Sequence, residues 1–72
     1  QRLDEAERYL HKALELNPLL TDAAVDLGYL FLQRGDYQRA RECFEHALQL
    51  DPGNSKALKG SKELKLAQHS TS

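Results

Sequence analysis

Cysteine is nearly absent from the sequence, and this limits how the fold can be stabilised. Cys43 is the single cysteine among 72 residues, so no internal disulfide can form. A chain of this length usually needs such a cross-link to be stable, unless its helices pack very regularly or it belongs to a larger assembly. The unpaired thiol also favours a reducing, intracellular compartment, most simply the cytoplasm.

Long hydrophobic runs and an excess of charge of one sign are missing as well. No apolar run approaches the roughly 20 residues of a membrane-spanning helix, and no signal-peptide pattern opens the chain. Ten basic residues stand against eleven acidic ones, a balance that argues against nucleic acid as the main partner. Residues 55–68 form the most basic segment, but their thin apolar face does not suit a membrane surface.

Apolar residues recur at three- and four-residue steps through most of the chain, which predicts helices rather than strands. The first of these helices ends before Pro18, because the residue that precedes a proline is pushed out of the helical region. Four glycines and two prolines are too few for a disordered or collagen-like chain. The helices are predicted over about 2–16, 22–34, 37–50 and 55–68.

The breaks between the predicted helices carry recognisable cap and turn residues. Thr21 is predicted to be the N-cap of the second helix. Gly35 is expected to adopt the left-handed conformation after that helix, and Asp36 to cap the third. Pro52 ends the third helix in a Pro-Gly turn. Gly60 stands in the middle of the fourth helix and should weaken it by about 1 kcal/mol relative to alanine.

The sequence matches itself when it is shifted by 34 residues, and this internal repeat is its strongest signal. A period of this length is typical of helix pairs that stack in an array. The first helix falls on the third, and the matched positions are Leu3 with Tyr37, Ala6 with Ala40, Leu10 with Phe44, Ala13 with Ala47, Leu14 with Leu48 and Pro18 with Pro52.

Residues 21–54 resemble one complete tetratricopeptide repeat. The resemblance rests on Ala24, Leu27, Gly28, Phe31, Ala40, Phe44, Ala47 and Pro52. Ala24 departs from the family pattern, which usually has a larger apolar residue there. The resemblance implies an all-α solenoid of helix-turn-helix repeats. It divides the chain into the second helix of a truncated repeat (1–18), one complete repeat (19–54), a capping helix (55–69) and a frayed tail (70–72).

The small and aromatic residues of this pattern have readable packing roles. Gly28, Ala40 and Ala47 are expected where two helices approach closely, since a larger side chain would push their axes apart. Phe31 and Phe44 are expected to fill the space between helix pairs.

The resemblance also implies where a partner would bind, because the first helix of each pair lines a concave groove in this family. The groove residues predicted on this basis are Asp22, Val25, Asp26, Tyr29, Leu32, Lys56 and Lys59. Two alternatives stay open. Tyr29 and Leu32 could instead pack against the neighbouring first helix. The two lysines could pair with Asp22 and Asp26, in surface ion pairs of roughly 0–1 kcal/mol each, or simply stay solvated.

Residues that could carry chemistry are sparse. Cys43 and His46 have the C-x-x-H spacing of two metal ligands, but a structural zinc site needs four and no second pair lies near them in sequence. Nothing in the sequence marks Cys43 as an activated nucleophile. We therefore expect no catalytic residue, no cofactor and no metal.

The leading functional hypothesis is a scaffold or adaptor segment of a larger repeat protein that binds a peptide or a subunit through the groove. A second hypothesis is a regulatory or substrate-selecting arm of an enzyme; a catalytic domain beside this segment would favour it, and further repeats would favour the scaffold. A third is self-association through residues 1–18, where Leu3, Leu10 and Leu14 would lack the helix that should cover them.

Overall fold

A computed structural model describes residues 2–70, with the side chains of residues 4–68. Over this range the backbone forms four helices and no strand, which confirms the all-α prediction. The bounds are α1 Arg2–Leu16, α2 Thr21–Arg34, α3 Tyr37–Leu50 and α4 Ser55–Ser70. The tail predicted to fray begins inside α4, since that helix extends to Ser70. Its last two residues, 71–72, lie outside the described range.

Two of the predicted helix caps are confirmed, one is wrong, and a further cap was not predicted. Gly35 has a φ of 81°, and Asp36 accepts a hydrogen bond from the Arg39 amide at 3.3 Å, so both predictions are confirmed. Thr21 is not an N-cap. It is the first helical residue, and Leu20 stands at the cap. The Asn17 side chain accepts a hydrogen bond from the Leu19 amide, and the Asn17 carbonyl accepts one from the Leu20 amide, so the turn before α2 ends at Leu20. At α4, the Asn54 side chain accepts from the Ala57 amide at 2.9 Å, a cap that the sequence analysis missed.

Helix α2 lies at the centre of the fold. It packs against α1, α3 and α4, and α3 also packs against α4. Seven of the 14 residues of α2 are buried, more than in α3, as a helix with neighbours on several sides requires. Short connections turn each helix back along the one before it. The position of α2 therefore determines which of its side chains can reach a partner.

The ring of Phe44 is the point where α2, α3 and α4 meet. Phe44 is 1% exposed. A Cβ atom added at Gly28 of α2 would lie 2.6 Å from this ring, and one added at Gly60 of α4 would lie 2.5 Å from it. Both glycines thus let a helix backbone approach the ring directly. The prediction of a close approach at Gly28 is confirmed, and Gly60 has a packing role that outweighs its weak helix propensity.

Alanines and a second phenylalanine complete the core as predicted. Ala40 and Ala47 are fully buried on α3, where larger side chains would separate it from α2. Phe31 is buried at the other side of α2. Its ring lies 6.4 Å from that of His11 on α1 and 5.8 Å from the guanidinium of Arg39 on α3. Phe31 therefore links the first helix to the complete repeat.

We expect Gly60→Ala to destabilise the chain, although alanine is the better helix former by about 1 kcal/mol. The added Cβ would lie 2.5 Å from a buried ring that has little room to move. Overpacking typically costs about 1–3 kcal/mol, and a contact as short as this belongs in the upper part of that range. After the gain of about 1 kcal/mol in helix propensity, the net loss should be roughly 1–2 kcal/mol. Urea unfolding followed by circular dichroism measures it.

Gly53→Ala is the matched control, since no atom lies within 4 Å of the Cβ it would add. Its free energy of unfolding should stay within about 0.5 kcal/mol of the parent. Phe44→Leu in the Gly60→Ala background should recover part of the loss, because a smaller side chain makes room for the methyl group. A Gly60→Ala chain as stable as the parent would contradict the role assigned to this glycine.

Candidate functional site

The residues predicted to line the groove do not share one surface. Val25 is 1% exposed and belongs to the buried cluster, so the prediction that it faces a partner is wrong. It lies one turn before Tyr29, whose side chain reaches α4, and that side of α2 is covered. Leu32 is half-buried and packs against the same cluster. Apolar spacing along one helix could not reveal that α4 is a further neighbour of α2.

Tyr29 has a structural role in addition to its place at the surface. Its hydroxyl donates to the Lys56 carbonyl at 3.0 Å. Its ring meets Phe44 edge to face, with centroids 5.2 Å apart and planes at 82°. Burial, and then the carboxylate of Glu63, raise the pKa of the Tyr29 phenol. The side chain thus anchors the first turn of α4 and leaves only part of its surface for a partner.

The charged members of the predicted set are all exposed. Asp22 and Asp26 lie one turn apart on α2, and Lys56 and Lys59 lie on α4. Within the described residues no ion pair joins either lysine to either aspartate. The predicted ion pairs between these lysines and aspartates are therefore not formed in the described part of the chain. The two carboxylates form an acidic edge of α2 that faces solvent.

A cavity of about 400 Å³ opens between α1 and α2. Its lining is mostly apolar, with one carboxylate and one amide at its edge. Asp26 and Tyr29 are the two members that the sequence analysis placed in a groove. The complete lining is Ala6, Tyr9, Leu10, Asp26, Tyr29, Leu30 and Gln33.

The contribution of α1 to this cavity was missed, although the internal repeat carried the signal. Ala6 and Leu10 match Ala40 and Phe44 on α3, which are buried. On α1 the same two positions are only half-buried, and the cavity lies beside them. Leu10 is also smaller than the ring that fills the matched position. Comparing the two repeats position by position would have placed a cavity here.

A second cavity, of about 190 Å³, lies further along the same helix. It is lined by Tyr9, Lys12, Ala13 and Leu16. Tyr9 is 74% exposed and Leu16 is 80% exposed, which are large values for side chains of their size. The surface of α1 around this cavity is thus exposed at Tyr9 and Leu16, whereas Ala13 between them is half-buried.

On another side of α1, ion pairs attach the helix to α2. The Arg34 guanidinium donates to the carboxylates of Asp4 and Glu7, the latter at 2.6 Å. The hydrogen bond from Arg34 is the main reason that the pKa of Asp4 lies below its usual value. These ion pairs fix which face of α1 meets α2, and hence which face stays exposed.

The one cysteine lies away from these cavities. Burial, and then the carboxylates of Glu42 and Asp36, raise the pKa of the half-buried Cys43 thiol to about 11. His46 places Nε2 3.3 Å from the Pro18 carbonyl oxygen. Within the described residues, no three His, Cys, Asp or Glu side chains come together as metal ligands would.

No helix in the described part of the chain has the length and apolar character needed to cross a membrane.

Comparison with known proteins gives the same family as the packing pattern. The sequence model of the tetratricopeptide repeat matches residues 1–55. The chain is 43% identical over 56 residues to the BBSome complex member BBS4 of Bos taurus, which covers 78% of this chain and 11% of that protein. It is 37% identical over 49 residues to an uncharacterised protein of Methanocaldococcus jannaschii, which covers 68% of this chain and 57% of that one. The chain thus spans less than two thirds of either relative.

We expect the folded chain to alkylate slowly at Cys43, because only the thiolate reacts and the thiol pKa is about 11. In the folded state the iodoacetamide rate, followed by mass spectrometry, should still rise tenfold per pH unit above pH 9. In urea it should level off near the ordinary cysteine pKa of about 8.5. Since the unfolded thiol loses its proton first, folding stability should also fall as the pH rises above that value. A folded-state rate that levels off near pH 9 would contradict this assignment.

Proposed function

The chain belongs to the tetratricopeptide repeat family, and from that premise we propose that it is a scaffold or adaptor segment of a larger repeat protein. It binds a peptide or a subunit of another protein. In this proposal α1 is the second helix of a truncated repeat, α2 and α3 form the complete repeat, and α4 is a cap. The chain carries out no chemical step itself and works in the cytoplasm.

The cavity between α1 and α2 is the observation that carries this proposal. About 400 Å³ of open, mostly apolar space is enough to receive several side chains of a partner. Tyr9 and Tyr29 offer aromatic surface with a polar tip, which suits protein recognition. Asp26 lies at the rim, and Asp22 extends the acidic edge by one turn.

The charges of the rim set the chemistry of the partner. Asp22 and Asp26 are exposed and form no ion pair within the described residues. A partner that brings Lys or Arg to this edge, beside apolar side chains for the cavity, would match both features. Lys56 and Lys59 extend the proposed surface along α4, where they would accept an acidic stretch of the same partner.

The role of α4 as a cap is supported by its composition. When α4 is aligned with α2 at the 34-residue period, Ser61, Lys62 and Lys65 stand at the positions of Leu27, Gly28 and Phe31. The residues that bury α2 against α3 are therefore polar in α4. A helix with such a polar face suits the end of a stack, since the positions that would pack on a following helix are not apolar.

The name of the bovine relative gives independent support for a role in assembly. That protein is a member of the BBSome complex. By analogy, the partner of this chain is a subunit of a multiprotein complex.

Site-specific photo-crosslinking tests the proposal. The crosslinker is placed at Gln33, which lines the cavity, rather than at Tyr29, whose ring and hydroxyl are engaged with Phe44 and Lys56. Gln49 is the matched control, because it is exposed on α3 and lines neither cavity. We expect one partner to be captured from lysate through Gln33 and not through Gln49.

Asp26→Lys should reduce that capture by about tenfold, since it replaces an attractive contact with a repulsive one. Circular dichroism must show that the variant keeps its helices. Equal capture from Gln33 and Gln49, or capture that Asp26→Lys leaves unchanged, would remove the cavity from the proposed function.

A further inference from the structure

The side of α4 that faces away from the core combines leucine with lysine. Leu58, Lys62 and Leu66 lie at four-residue steps, so they follow one side of the helix over two turns. Lys59 and Lys65 stand three residues before and after Lys62, on either side of that row. All five residues are exposed, Leu58 to 50% and Leu66 to 61%. We call them the α4 outer face.

The residues of the α4 outer face explain why it is open. At the 34-residue period, Lys62 and Lys65 stand at the positions of Gly28 and Phe31, which are buried on α2 and contact side chains of α3. A following helix with the apolar stripe of α3 would bury both ammonium groups without a partner, which is strongly unfavourable. The face therefore does not suit a further helix of the repeat, and its openness follows from its own composition.

Lys62 lies at the centre of this face without a counter-charge. Its nearest neighbours along the helix surface are the two leucines and the two other lysines. Within the described residues, no ion pair reaches any of the three lysines. Like charges at this spacing repel one another and weaken a helix. A partner that brings carboxylates to Lys62 would relieve that repulsion.

Charge and shape together limit what can bind here. A second copy of the face would oppose lysine with lysine. A bilayer would have to take up Lys62 between the two leucines, whereas a helix that lies in a membrane surface keeps its charges off its apolar face. A nucleic acid would pair with the lysines but leave the leucines without contacts. A protein segment with both carboxylates and apolar side chains matches all five residues.

A helix is the form of partner that suits this face. The backbone of α4 is bonded within its own helix, so the face offers side chains alone. A partner helix likewise satisfies its own backbone groups, whereas an extended segment would bring unpaired ones against the leucines. Leu58 and Leu66 are about 12 Å apart along the axis, so a partner helix meets both with apolar side chains seven or eight residues apart. Asp or Glu between those side chains would meet Lys62.

We infer that the α4 outer face binds an acidic amphipathic helix of another protein. This goes beyond the proposed function, because the α4 outer face shares only Lys59 with the surface proposed there and carries charge opposite to the acidic edge at Asp22 and Asp26. One helix against one helix makes a small interface, so the dissociation constant is expected to be on the order of 100 µM.

Titration of the whole ¹⁵N-labelled chain with a synthetic helix tests the inference. The probe is a peptide of about 18 residues, long enough to be helical, with Leu at two positions seven apart, Glu at the third and fourth positions between them, and mainly Ala elsewhere. A second peptide has Lys in place of each Glu, and a third has Ala in place of each Leu. At low salt, the first peptide should shift the amide signals around Lys62, and the other two should not.

Variants of the chain locate the contact. Lys62→Glu should weaken binding of the first peptide by about tenfold and should gain binding of the lysine peptide, which also shows that the variant is folded. Leu66→Ala should weaken binding by about threefold, because apolar contact is lost. The matched controls are Lys12→Glu on α1 and Leu19→Ala in the turn before α2, both exposed and both outside the face. They should bind like the parent.

Three results would overturn the inference. They are the absence of shifts at about 1 mM peptide, binding that survives Lys62→Glu, and equal binding of the peptide without leucine, which would reduce the contact to general charge attraction. Binding of phosphatidylserine vesicles in place of the peptide, lost in Lys62→Glu, would also overturn it and assign the face to a membrane. Crosslinking through Gln33 should be unaffected by Lys62→Glu, so the failure of this inference and the failure of the proposed function can be told apart.

Discussion

Contact of two glycine backbones with one aromatic ring sets the spacing of three helices. Phe44 projects from α3, and α2 and α4 each present a glycine to it, at Gly28 and Gly60. Tyr29 closes the edge of the ring and reaches the backbone of α4 with its hydroxyl. Because the ring fills the space among the three helices, no one of them can shift without moving the others. The direction in which α2 turns its acidic edge to solvent is a consequence.

The junction of α1 with α2 differs from the matched junction of α3 with α4 at two positions of the repeat. At the matched positions 34 residues earlier, Leu10 stands for Phe44 and Asp26 stands for Gly60. Leucine fills less space than the phenylalanine ring. Asp26, a carboxylate that cannot be buried without a partner, stands where Gly60 lets the α4 backbone touch the Phe44 ring. The junction of α3 with α4 is therefore closed, whereas the junction of α1 with α2 contains a cavity of about 400 Å³.

Much of the fold could be predicted from the sequence because it depends on local signals. Helix bounds follow from apolar spacing, and the cap roles of Gly35 and Asp36 follow from backbone conformation and side-chain bonding within a few residues. The errors have one common cause, which is contact between helices that are not adjacent in the chain. Val25 is buried in the common core although its spacing suggested an outward face, and Gly60 packs on a ring from α3. Spacing along one helix gives the direction of a face but not the number of its neighbours.

The candidate site was predictable in part for the same reason. Asp26 and Tyr29, which the family resemblance named as groove residues, line the cavity, but the α1 half of the cavity was not foreseen. A surface between two helices depends on residues that the fold leaves uncovered, and these differ from the consensus that defines a family. Leu10 and Asp26 are such residues.

Charge decides what the open surfaces can accept, because apolar contact alone does not discriminate among partners. On one face of α1, Asp4 and Glu7 already share a cation in Arg34. On α2, Asp22 and Asp26 form no ion pair within the described residues, so their carboxylates are available to a cationic partner. Charge thus has two separate uses in this fold: on α1 it attaches the helix to its neighbour, and on α2 it is left at the surface to select a partner.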